Sequence, residues 1–119
     1  MMISLKLSRD RARCIEEVMF PLIRATAELH VREKLQIIGQ YENEYLTAKI
    51  LLTLIAEVDV IFKRKLLGQA KEFKFNFNDA QAITFYKFLM NHPIGPVEIY
   101  LLNLRQHVCQ ILHKQFYKP

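Results

Sequence analysis

The sequence predicts a mainly α-helical (α+β) domain, with four helices in a bundle-like arrangement and two short strands. The expected order is strand-helix-helix-strand-helix-helix, and 119 residues fit a single domain spanning 1–119. Three observations lead there. Two stretches, "ISLKL" near the start and "EFKFNF" at 72–77, alternate apolar and polar residues with the period of a half-buried strand. Each is followed at once by a residue suited to a helix N-cap, Ser8 or Asn78. The remainder carries apolar residues at three-and-four spacing, which places them on one face of a helix.

In chain order, Ile3, Leu5 and Leu7 form the inner face of the first strand. After Ser8, Asp10 sits in the first helical turn, where the helix dipole favours a carboxylate. The apolar stripe of that helix reads Ala12, Ile15, Met19, Leu22, Thr26 and Leu29, with Val18 and Ala25 beside it. Pro21 falls inside this stripe and must kink or divide the helix, because it lacks an N–H and its ring crowds the preceding turn. Gly39 marks the next boundary. Glu42 and Glu44 suit the start of a second helix, which runs to Leu67 and is ended by Gly68. Its inward face is Ala48, Leu51, Ile55, Val58, Phe62 and Leu66, widened by Ile50, Leu54 and Ile61, the broad arc of a central helix.

The second strand points Phe73, Phe75 and Phe77 to one side. Asn78 with Gln81 reads as a capping box, and a helix presenting Ala82, Phe85, Phe88 and Leu89 inward runs to Asn91. "NHPIGP" is a turn. Pro96 suits the first position of a last helix, which turns Val97, Leu101, Leu104, Val108 and Leu112 inward. The chain thus uses one pattern twice, strand then capped helix then helix, although residue identities barely match between the halves. Two strands alone are marginal in water, so the strands are expected to pair with each other across the helices.

Composition narrows function by exclusion. Glycines at 39, 68 and 95 form neither a dinucleotide fingerprint nor a P-loop, and Ser4 and Ser8, the serines of the chain, sit in no nucleophile elbow. Cys14 and Cys109 make no disulfide framework, and the N-terminus does not read as a leader, so a cytoplasmic location is expected. The most apolar run, "ILLTLIAEVDVIF" at 50–62, contains Glu57 and Asp59 and is too short to cross a bilayer. Cys109 and His113 lie one turn apart, but His107 points about 200° away from Cys109 on the same helix, so two ligands remain and no metal or other cofactor is expected.

Three groups of residues stand out. Asp59 lies between Ile55 and Phe62 on the second helix, and Arg105 lies between Leu101 and Val108 on the last. Both charges point inward, so each needs a partner, and the simplest arrangement is a buried Asp59–Arg105 pair fixing helix register. An enzymatic reading would rest on these two with His107; a non-enzymatic one is favoured. Second, seventeen Lys and Arg against twelve Asp and Glu give a net charge of +5, and Arg9, Arg13, Lys63, Arg64 and Lys65 could form a basic surface for nucleic acid. Arg13 can also reach Glu17 and Lys63 can reach Asp59, and the aromatics fit core spacing better than base stacking. Third, Phe20, Ala27 and Val31 lie opposite the first helix's stripe, as do Ile83 and Met90 on the third helix and Ile99 and Tyr117 on the fourth. Second apolar stripes suggest an interface, most economically in a homodimer, built through these faces or by joining strand edges. The leading expectation is therefore a self-associating interaction or regulatory module, with a basic nucleic-acid-binding protein as the alternative.

Overall fold

The computed structural model describes residues 2–36, 38–95 and 98–117, including the side chains of all of these except 38–41. Its elements are β1 (Ile3–Ser8), α1 (Arg9–Cys14), a π turn (Ile15–Met19), α2 (Phe20–Leu35), α3 (Ile38–Leu66), β2 (Glu72–Phe77), α4 (Asp79–Asn91) and α5 (Ile99–Phe116). Since α1, the π turn and α2 run on without a break in helical backbone, the fold is four helices and a two-stranded antiparallel ribbon, in the predicted order. Gly39 lies inside α3 and not between helices. The expected roles of Pro96 and Val97 fall outside the described residues.

The ribbon pairs Ile3 with Phe77, Leu5 with Phe75 and Leu7 with Phe73, so all six inward side chains meet across the strands and are buried. Phe62 of α3 is the hub beneath them, with its ring 4.1 Å from that of Phe75, 5.3 Å from Phe20 and 5.7 Å from Phe85. Apolar area removed from water, with added ring-on-ring contact, drives this packing. Both helix starts are capped as the sequence requires. The Ser8 hydroxyl accepts from the Arg11 N–H, while Asn78 and Gln81 exchange reciprocal bonds.

The halves correspond at a constant spacing of 70 positions. Ser8 and Asn78 are the caps, and Ala12 and Ala82, Ile15 and Phe85, Met19 and Leu89 are all buried. Under the same shift, the ribbon pair Ile3–Phe77 maps onto Phe73–Leu7, itself a pair, so the ribbon has a pseudo-twofold axis at Leu5–Phe75. Each half places its last helix under the other half's strand, α3 against β2 and α5 against β1.

The π turn breaks the correspondence. The Phe20 N–H bonds to the Ile15 carbonyl, five residues back, and Pro21 follows immediately where it has no N–H to offer. An i→i+5 turn holds one residue more than an α turn, so every later inward position shifts by one. Ile23 and Ala27 take the core places expected of Leu22 and Thr26. Phe20 (1% exposed) and Ala27 (2%) are core side chains, which removes both from the predicted interface, whereas Leu22 (50%) and Leu29 (53%) face water.

Candidate functional site

The buried charge network follows from this shift. Arg24 turns toward α3 and donates to Asp59 Oδ2 at 3.1 Å, and Lys63 Nζ lies 3.2 Å from the same oxygen. Glu16 extends the chain of charges, 3.8 Å from Lys63. Asp59 is only 2% exposed, and its Oδ1 is buried without a hydrogen-bond partner. The expected Asp59–Arg105 pair does not form. Arg105 donates to the His92 carbonyl at 2.7 Å instead, on α5, where it helps hold the α4–α5 connection. Each charge has a partner, as desolvation demands; four-residue spacing correctly gave Lys63 as one partner of Asp59, whereas Arg24 was not foreseen. Asp59 therefore ties α3 to the displaced face of α2.

The basic residues named from sequence do not form one free surface. Arg9 is stapled across the α3–β2 loop, donating to the carbonyls of Leu66, Gly68 and Ala70 with its guanidinium over the Phe73 ring. It satisfies carbonyls that the end of α3 leaves without helical donors. Arg13 pairs with Glu17 at 3.7 Å, and Lys63 is held by Asp59 and Glu16. Arg64 and Lys65 are exposed.

Burial pushes the Cys109 thiol up to about 11, with Arg105 opposing weakly, so it stays protonated at neutral pH. Cys14 is raised by burial and by Glu17. Cys109 lines an open groove of about 720 Å³ between α4 and α5 with Tyr86, Met90, Arg105 and His113. Burial and the neighbouring Arg11 guanidinium, 3.2 Å away, hold His107 below the usual imidazole range. Among the described residues, no three His, Cys, Asp or Glu side chains gather at one point. No helix among them is long and apolar enough to cross a membrane.

Three surfaces remain. Val18, Leu22, Ala25 and Leu29 form an exposed row at four-three-four spacing on the side of α2 turned away from α3. Of the other residues expected at an interface, Val31 is half-buried, while Ile83, Met90, Ile99 and Tyr117 are exposed. The outer face of the ribbon carries Ser4, Lys6, Ser8, Glu72, Lys74 and Asn76. The outer edge of β1 is occupied at Ser4, where the Gln115 side chain accepts from the Ser4 N–H (2.9 Å) and donates to the Ser4 carbonyl (2.7 Å), as a third strand would. A sheet joined through this edge would have to displace Gln115. No protein-family model, curated protein or solved structure matches the chain.

Proposed function

We propose that the chain is a non-enzymatic helical interaction module that self-associates as a homodimer through the outer face of α2. The observation carrying this reading is the exposed row Val18, Leu22, Ala25 and Leu29. It has the spacing of a helix-packing seam, and it stands exposed among the described residues. An isologous antiparallel pairing suits it: Val18 meets the partner's Leu29, and Leu22 meets the partner's Ala25, large against small.

Surface bookkeeping supports a subunit that is not fully covered on its own. The accessible surface of 7663 Å² for 14.1 kDa exceeds by roughly 900 Å² what monomers of this mass expose. That is about what one partner contributes to a standard interface. The radius of gyration, 15.0 Å, also exceeds the roughly 13.5 Å of a compact chain of this length.

Light scattering on a sizing column tests the reading. At micromolar concentration the chain should run at twice 14.1 kDa, and Leu22→Glu should return it to 14.1 kDa with an unchanged circular dichroism spectrum. A monomeric wild type, or a Leu22→Glu dimer, would refute it.

A further inference from the structure

We propose that the outer face of the β1–β2 ribbon is a binding site for duplex DNA, seated in the major groove with the ribbon's pseudo-twofold axis along a local dyad of the duplex. Dimensions come first. The B-form major groove, about 12 Å wide, admits a two-stranded antiparallel ribbon. From Ser4 to Ser8 the outward positions span about 13 Å, or roughly four base steps.

The side chains on that face break strand rules in a way that a polyanion would compensate. Lys6 and Lys74 stand directly opposite each other. Like charges so placed repel, and Lys, Glu and Asn are depleted from strands in general. Glu72 approaches Lys6 at 3.2 Å, but both are well exposed, and such pairs contribute little and open readily. No β-branched or aromatic residue occupies the six outward positions, although either type would strengthen the ribbon. The face instead offers cations for phosphate or guanine, and Asn76 for adenine once its exposed 3.0 Å bond from the Ser4 hydroxyl opens, as an exposed pair does readily. A face that sacrifices its own stability to hydrogen-bonding groups is more readily explained by a ligand than by folding.

The form of nucleic acid also follows. Phe73, Phe75 and Phe77 all point into the core, so the face has no rings on which single-stranded bases could stack. The deep, narrow major groove of A-form RNA does not admit a ribbon. Because Lys6 corresponds to Asn76 and Ser4 to Lys74 under the pseudo-symmetry, the two half-contacts differ, and the preferred site should be an imperfect palindrome. The proposal moves the nucleic-acid surface from the helical basic clusters, where Arg9 is held by three carbonyls and Lys63 by the buried Asp59, to the ribbon.

Fluorescence anisotropy with short, random-sequence duplex DNA tests it, starting at low salt and titrating upward. Binding should weaken as salt rises. Lys6→Gln/Lys74→Gln should weaken it at least about tenfold and lower the salt slope by about 2, one for each lysine lost. Arg64→Gln/Lys65→Gln should leave it unchanged, and Asn76→Ala should relax base preference in a selection experiment without changing the slope. All these positions are exposed, so the variants should fold. A Leu22→Glu chain should still bind, which separates this proposal from self-association. Absence of binding at low salt, equal affinity of the double-lysine variant, or preference for single strands or duplex RNA would overturn it.

Discussion

The two halves of the chain start alike and end differently. From Ile3 to Met19 and from Phe73 to Leu89, strand, cap and helix repeat, with burial recurring at Ala12, Ile15 and Met19 and at Ala82, Phe85 and Leu89. The second half then stops its helix at Asn91 and turns. The first half inserts a π turn, passes Pro21 and continues through α2 into the 29 residues of α3. Local pattern therefore suffices to build the shared part, the ribbon and the helices beneath it. The extra length of the first half supplies the Arg24–Asp59 tie and an exposed seam, neither of which has a counterpart among the described residues of the second.

The largest expected asymmetry lies in the charges. Asp59→Ala should destabilise the chain by about 2 kcal/mol in urea unfolding, at or below the low end for a broken buried pair because Arg24 and Lys63 can turn to water. Arg105→Ala, at the matching place on α5, should cost about 1 kcal/mol, the value of a single hydrogen bond to a carbonyl. Equal losses would mean that the halves are bound together in the same way after all.

The caps should show the likeness. Ser8→Ala and Asn78→Ala should each cost about 1 kcal/mol, with Asn78 the larger because its side chain accepts the shorter bond, 2.8 Å from the Gln81 N–H against 3.3 Å from the Arg11 N–H at Ser8.

The smallest effect is in pH. His92 is held below the ordinary imidazole range by burial and then by Arg105, against Glu98, and His107 by burial and then by Arg11. With folded values lowered, the unfolded chain takes up protons first as pH falls. Stability from these groups is therefore complete above about 6.5 and declines as pH drops from there toward the lowered values. The melting temperature should fall between about pH 7.5 and 5.5, and His92→Gln/His107→Gln should shrink that fall. An undiminished fall would assign it to other groups.

The strands, both caps and the order of elements were legible because each depends on neighbours a few residues away. Phe73, Phe75 and Phe77 alternate, and alternation leaves one choice of face. The register of α2 was not legible in the same way. Leu22 and Leu29 continue a regular helical stripe as well as Ile23 and Ala27 continue a shifted one, and only tertiary packing chooses between them. Pro21 marked the place of the disturbance but not its form. Lys63 was legible as a partner of Asp59 from its four-residue spacing, but Arg24 was hidden by the same ambiguity, since it faces α3 only after the shift. The Gln115 bond to Ser4 joins residues 111 positions apart and has no local signature. The ribbon's polar face, in contrast, could have been read from the alternation itself, because whatever is not buried there must lie opposite the buried set.

The one-residue shift at the π turn underlies the core, the charge network and the exposed seam together. Placing a charge at two adjacent positions, Leu22→Asp and Ile23→Asp, and following thermal unfolding tests it most directly. Cooperative unfolding of a folded Leu22→Asp chain, at a temperature lowered only by whatever self-association contributes, with loss of the folded state for Ile23→Asp, is the predicted result. The reverse, a folded Ile23→Asp chain and an unfolded Leu22→Asp chain, would contradict it.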